Sequence, residues 1–206
     1  MSQRENMKSR HVRYQPKVLA AASLVAVALV DPRSPGAQSS DLGDAFLCCN
    51  MRSNGDWISD SNYMESGKTM IPFGTPMKFA GFGRYRVNVE IDGKRQTIGN
   101  DYSRDLSMDV FARRYLVKDD PRSKVVNFPP KIRTAVESAR VTRGMTRDQV
   151  LIALGYPISS ENPHLGAATW KYWLWSFSPF FVHFDGNGRV AKVTTDPDTL
   201  ARVFLE

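Results

Sequence analysis

The side chains of this sequence that could act as nucleophiles, bases or metal ligands are two adjacent cysteines and three histidines. A cysteine nucleophile needs a base within hydrogen-bonding reach, and no spacing pairs Cys48 or Cys49 with His164 or His183. His11 belongs to the basic N-terminal segment, and no Cys or His residues stand at the paired short spacing of a zinc site. The sequence therefore predicts no enzyme, no cofactor and no metal. A thiol-dependent enzyme using Cys48 or Cys49 is kept as an alternative.

The adjacency of the two cysteines favours a structural role. Their Cα atoms stand ~3.8 Å apart across a trans peptide, whereas disulfides usually join Cα atoms ~4.4–6.8 Å apart. We therefore expect Cys48 and Cys49 to be small buried hydrophobic residues in a strand over 46–51. A vicinal disulfide or an intermolecular bridge is the alternative in an oxidising compartment.

A run of aromatic residues between 170 and 181 provides the candidate partner surface. In a strand over 168–175, side chains alternate between the two sides of the sheet, so Lys171, Trp173 and Trp175 share one side. The other side, expected to pack on helices, carries Trp170, Tyr172 and Leu174. Either the N-terminal module or a C-terminal helix covers the first set, or the set binds a partner, because Trp is enriched in interface hot spots.

The formal charge of +7 is concentrated at the N-terminus, where residues 1–17 hold five Lys or Arg and one Glu. A largely apolar run over 18–30 follows, and small residues lead to Ala37. This layout is typical of a secretory signal peptide, predicted here over 1–37. The rest of the chain holds no dense basic block, so we expect no nucleic-acid partner.

The segment 141–157 contains sequence signals for the start, the buried side and the end of one short helix. Thr146, with Gln149 three residues later, indicates a capping box. Gly155 and Pro157 end the helix. Its apolar side, at i, i+3 and i+4 spacing, holds Val150, Ala153 and Leu154. Three strands predicted over 168–175, 180–184 and 189–194 follow, which favours an α+β fold.

A family pattern runs through residues 130–195. Its members are Arg140, Gly144, Met145, Thr146, Gln149, Val150, Ala153, Leu154, Gly155, Pro157, Trp170, Tyr172, Val182, His183, Phe184, Gly188, Arg189 and Val190. The pattern resembles the C-terminal module of the BamE/SmpA/OmlA-type outer-membrane assembly lipoproteins. The resemblance implies an α-α-β-β-β module that binds neighbouring assembly components and anionic lipid. The pattern is also similar to the repeat of secreted beta-lactamase inhibitor proteins, which act purely by binding.

Members of the resembled family are mostly lipoproteins, which implies a lipid-accepting cysteine. Seventeen residues separate Val30 from Cys48, and Phe46 and Leu47 are bulky where a lipobox needs small residues. The sequence therefore has no recognisable lipobox. We predict an exported protein that is periplasmic or outer-membrane associated.

Residues 46–117 predict an N-terminal β-rich module, similar in pattern to a bacterial SH3 module. The segment 84–91 alternates strictly, with Tyr85, Val87, Val89 and Ile91 on one side. Asp92 and Gly93 are typical of a type I′ hairpin turn. A helix from about Ser107 follows, whose shared side holds Met108, Phe111, Ala112 and Tyr115.

The predicted organisation is therefore a signal peptide (1–37), a β-rich module (46–117), a BamE-like module (129–195) and a C-terminal tail helix (196–206). A helix over 131–140 opens the BamE-like module, after the polar segment 118–123. We predict a non-enzymatic cell-envelope protein that acts by protein–protein binding in outer-membrane or envelope assembly. The alternative is a secreted inhibitor-like or cell-wall-binding module.

Overall fold

The computed structural model describes residues 42–206, which belong to one compact unit. The predicted signal peptide at 1–37 lies outside the described residues. The predicted α+β class is confirmed, with a curled half-barrel sheet of eight strands, a few short helices and a three-stranded antiparallel sheet near the C-terminus.

The large sheet is built from eight strands that lie between residues 44 and 117. They are β1 (Asp44–Leu47), β2 (Met51–Asn54), β3 (Trp57–Ser59), β4 (Thr69–Ile71), β5 (Pro76–Gly83), β6 (Arg86–Ile91), β7 (Lys94–Gly99) and β8 (Leu116–Val117). Their order across the sheet is β4-β2-β3-β7-β6-β5-β1-β8. Every neighbouring pair is antiparallel except β3 with β7.

Strand β6 shows the predicted alternation, because Val87, Val89 and Ile91 are all buried. Asp92 and Gly93 adopt φ angles of 50° and 72°, as the predicted hairpin turn requires. Tyr85, which we expected on the buried side, precedes β6 and is exposed. The buried side of β6 packs into the core of the large sheet with Phe111 and Tyr115 of helix α1 (Met108–Tyr115).

The cysteines depart from their predicted strand. Strand β1 ends at Leu47 and β2 begins at Met51, so Cys48 and Cys49 lie in the bend between them. The Cys48 N–H donates to the Tyr115 carbonyl (2.9 Å), which continues the pairing of β1 with β8 by one residue before the chain turns. Both residues are buried, as expected, but their sulfur atoms are bonded to each other, with Cα atoms 3.8 Å apart. The continuous strand over 46–51 was therefore wrong.

The second part of the chain places helices on one side of the small sheet. The helices are α2 (Arg122–Val125), α3 (Pro130–Glu137), α4 (Arg147–Leu154) and α5 (Pro197–Val203). The small sheet has the order β11-β10-β9, with β9 (Thr169–Trp173), β10 (Pro179–Phe184) and β11 (Val190–Thr194). A second core lies between them, with Trp170 fully buried at its centre.

Helix α4 follows its sequence signals closely. The Gln149 N–H donates to the Thr146 hydroxyl (3.3 Å), and the Thr146 N–H donates to the Gln149 side chain (2.8 Å). These two bonds form the predicted capping box. The predicted buried side is confirmed at Val150, Ala153 and Leu154. The cap thus sets where the helix starts and which side faces the small sheet.

Candidate functional site

The predicted surface residues lie at one end of the small sheet, in two different settings. Lys171 and Trp173 are in β9 and project from the side opposite to buried Trp170 and Tyr172. Strand β9 ends at Trp173, because the Leu174 N–H donates to the Ser178 carbonyl (2.9 Å) and closes a loop to β10. Trp175 therefore lies in that loop, and the prediction that it continues the strand was wrong.

Lys171 and Trp173 are held by Glu161, a residue of the segment before β9. One Glu161 carboxylate oxygen is 2.8 Å from the Lys171 ammonium, and the other accepts the Trp173 indole N–H at 2.6 Å. The Lys171 ammonium also lies 4.2 Å from the centre of the Trp173 ring. Lys171 is therefore paired with a carboxylate and a ring, rather than being a free surface charge.

Asn162 fixes this arrangement by closing the outer edge of β9. Its side-chain oxygen accepts the Lys171 backbone N–H (2.8 Å), and its side-chain nitrogen donates to the Lys171 carbonyl (3.0 Å). Asn162 is buried, so these bonds lie out of water, where losing one is costly. The neighbouring Glu161 is thereby positioned over β9.

The loop between β9 and β10 presents an exposed aromatic side chain. Phe177 is 91% exposed, more than any other large hydrophobic residue that the structure describes. Trp175, two residues earlier, packs against the core of the small sheet and lies 5.4 Å from the Arg202 guanidinium of α5. The loop thus anchors one aromatic residue and projects the other. We refer to Lys171, Trp173, Trp175 and Phe177 as the hairpin face.

His183 occupies the same open side of the small sheet, farther from the loop. Its two ring nitrogens lie 3.1 Å from the Thr169 hydroxyl and 2.7 Å from the Thr194 hydroxyl. A row of side-chain hydrogen bonds therefore spans all three strands. Burial, and secondarily the Lys192 charge, lower the pKa of His183. The neutral imidazole is favoured, which fits a hydrogen-bonding role between strands.

Cys48 of the disulfide lines a separate cavity of about 480 Å³, which residues of helix α4 also line. Cys48, Leu151 and Ile152 contribute apolar surface to it. Two lysines and two aspartates also line it, so their charges balance: Lys118, Lys124, Asp119 and Asp148. Since Cys48 and Cys49 are bonded to each other, residues 42–206 contain no free thiol.

Within 42–206, no group of three or more His, Cys, Asp or Glu side chains is arranged to hold a metal ion. None of the helices described there has the length and apolar character needed to cross a membrane.

The fold and the hairpin face define an α+β protein with an exposed aromatic loop. No family model, curated protein or solved structure matches the chain.

Two features of this region, the contacts of Glu161 and the exposure of Phe177, were not predicted from the sequence. Glu161 carries no pattern of its own in the sequence, and only the fold brings it to Lys171 and Trp173. Phe177 was part of the aromatic run, but its exposure depends on where β9 ends. The Trp175-Ser-Phe-Ser-Pro179 composition is the available signal, because Ser and Pro favour a turn.

Proposed function

We propose that the chain is an exported cell-envelope protein that binds another protein through the hairpin face, in outer-membrane or envelope assembly. The observation that carries this proposal is the 91% exposure of Phe177. Burying a Phe side chain is worth about 1.5–3 kcal/mol, so Phe177 gains that free energy when it docks into an apolar pocket. Aromatic residues of this kind dominate interface hot spots.

The loop supports such docking because two backbone hydrogen bonds close it. The Leu174 N–H donates to the Ser178 carbonyl (2.9 Å), and the Ser178 N–H donates to the Trp175 carbonyl (3.0 Å). Pre-organisation of this kind reduces the entropy lost on binding. Arg202 lies exposed beside Trp175, which favours a partner whose apolar pocket is rimmed by carboxylates.

The assembly role is supported by the resemblance to the BamE/SmpA/OmlA-type module. The order α3, α4, β9, β10, β11 matches the α-α-β-β-β order that this resemblance implies. The predicted signal peptide supports export. An SH3-like role for the large sheet belongs to the cell-wall-binding alternative, which the test below separates.

Phe177→Ala is expected to reduce partner capture about tenfold or more, equivalent to about 1.4 kcal/mol. The measurement is a pull-down from crosslinked envelopes, with the captured protein identified by mass spectrometry. The wild-type chain should recover a β-barrel assembly component. Val126→Ala is the matched control, because Val126 is also an exposed apolar residue (60%) but lies away from the hairpin face, next to α2.

Two results would count against this proposal. Equal capture by Phe177→Ala and wild type would remove the hairpin face from the interaction. Retention on peptidoglycan, with no assembly component recovered, would instead favour the cell-wall-binding alternative.

A further inference from the structure

The disulfide between Cys48 and Cys49 joins the only two cysteines of the sequence. A disulfide stabilises a fold through the entropy of the unfolded chain, and this effect grows with the number of residues in the loop that the bond closes. A bond between consecutive residues closes the smallest possible loop. The entropic stabilisation of the fold is therefore at its smallest here, so a chemical role for the bond has to be considered.

The two cysteines differ in their access to solvent. Cys48 is 9% exposed and lines the cavity of about 480 Å³ that residues of α4 also line. Cys49 is 0% exposed and does not line this cavity, which we call the disulfide cavity. Its volume falls in the range of sites that bind small molecules, about 300–1,000 Å³. A small reagent in the disulfide cavity therefore meets Cys48 and not Cys49.

The lining of the disulfide cavity suits a small uncharged molecule. Its two lysines and two aspartates are exposed, so their charges balance and the cavity opens to solvent. Leu151 and Ile152 add apolar surface that can contact the carbon atoms of such a molecule. An uncharged reagent therefore reaches Cys48 without having to pair a charge.

The bend that carries the disulfide is anchored at both ends by bonds that do not involve sulfur. Before it, the Cys48 N–H donates to the Tyr115 carbonyl (2.9 Å). After it, the Asn50 N–H donates to the Ile152 carbonyl (3.0 Å), and the Asn50 side chain donates to the Val136 carbonyl (2.7 Å). Breaking the bond between the sulfurs leaves all three hydrogen bonds in place, so we expect the reduced chain to stay folded.

We propose that the Cys48–Cys49 disulfide is a reversible thiol-exchange site, which a low-molecular-weight thiol reaches through the disulfide cavity. The thiolate attacks the Cys48 sulfur and forms a mixed disulfide, while the Cys48–Cys49 bond breaks and its electron pair leaves on the Cys49 sulfur. A second thiolate attacks the sulfur of the first thiol and releases Cys48. Two thiols are thereby oxidised to one disulfide, and their two protons end on Cys48 and Cys49. The site does not depend on the protein partner of the hairpin face.

The first test is reduction of the purified, folded full chain by 2-mercaptoethanol, an uncharged thiol. Samples are quenched with iodoacetamide, and the alkylated cysteines are counted by mass spectrometry. Attack on the folded chain predicts a reduction rate that rises in proportion to the thiol concentration and does not change with urea below the unfolding transition. A rate that is independent of thiol, or that rises steeply with urea in that range, would mean that the bond is reached only after unfolding and would overturn the proposal.

A second test narrows the disulfide cavity. Leu151→Trp adds bulk to its lining and is expected to slow the reduction about threefold or more, because the rate of exchange depends on access to the sulfur. Val126→Trp is the matched control, since Val126 is 60% exposed and does not line the cavity. If Leu151→Trp were reduced as fast as Val126→Trp, the thiol would not enter through the disulfide cavity, and the proposal would fail.

A third test identifies the sulfur that is attacked. Cys49→Ala leaves the thiol of Cys48, which lines the cavity, and Cys48→Ala leaves the buried thiol of Cys49. Since buried thiols are inert, iodoacetamide is expected to alkylate Cys49→Ala about tenfold faster or more than Cys48→Ala. Equal rates, or faster alkylation of Cys48→Ala, would show that Cys48 is not the accessible sulfur and would overturn the proposal.

Discussion

Replacing Asn50 by alanine is expected to lower the free energy of unfolding by about 3–5 kcal/mol, because several buried hydrogen bonds lose a partner at once. Asn50 is fully buried between the two cores. Its side-chain nitrogen donates to the Val136 carbonyl in α3 (2.7 Å) and to the Ala153 carbonyl in α4 (3.2 Å). Its side-chain oxygen accepts the Phe73 N–H (3.2 Å).

This residue joins the large sheet to the helices of the small sheet through main-chain bonds as well. The Asn50 N–H donates to the Ile152 carbonyl (3.0 Å), and the Asn50 carbonyl accepts the Asn62 side-chain nitrogen (2.9 Å). Alanine keeps these main-chain bonds and removes only the side-chain bonds. The predicted loss of unfolding free energy therefore measures the contribution of the Asn50 side-chain amide.

The measurement is urea unfolding, analysed by linear extrapolation. Asn187→Ala is the control, because Asn187 is exposed in the turn between β10 and β11, and exposed substitutions usually change stability by less than about 0.5 kcal/mol. If Asn50→Ala unfolded at the same urea concentration as Asn187→Ala, the amide would not join the two cores.

Gly155→Ala is expected to destabilise the fold by about 3 kcal/mol, through backbone strain together with crowding. Gly155 follows α4 with φ 83° and ψ −180°, a region of conformational space that only glycine adopts readily. An added Cβ would lie 3.1 Å from the Met51 sulfur and 3.4 Å from the Asn62 side-chain nitrogen. The new methyl group would thus press on the junction between the two cores.

Two other glycines distinguish the effect of backbone strain from the effect of crowding. Gly144 has φ 82° but open space around an added Cβ, so Gly144→Ala should cost only the strain, about 1–2 kcal/mol. Gly186 has neither a positive φ nor a neighbour within 4 Å, so Gly186→Ala should change little. If Gly155→Ala lost no more unfolding free energy than Gly144→Ala, the crowding would have no effect.

The parts of the fold that could be predicted from sequence are those determined by residues close together in the chain. The cap at Thr146, the turn at Asp92-Gly93 and the helix after Ser107 each depend on residues within a few positions of one another. Asp196 likewise caps α5 by accepting the Thr199 N–H (2.9 Å), as expected for the tail helix. Local chemistry fixes these elements, so a local pattern is sufficient to find them.

The parts that could not be predicted depend on distant partners. Strand β1 is paired with β8 some seventy residues later, and the strand neighbours β3 and β7 are parallel across a gap of some forty residues. A small recess beside the hairpin face is lined by Tyr63, Tyr102 and Trp173, none of which lies within thirty residues of another. Only the folded chain reveals these sites, since no periodic pattern encodes them.

The proposed binding of another envelope protein by the hairpin face can be tested by site-specific photocrosslinking in intact cells. A photoreactive phenylalanine analogue would replace Phe177 in one strain and Val126 in another, both exposed positions. We expect a covalent adduct with an outer-membrane assembly protein from position 177 and none from position 126. The same adducts from both positions, or no adduct from position 177, would mean that the hairpin face is not the binding surface.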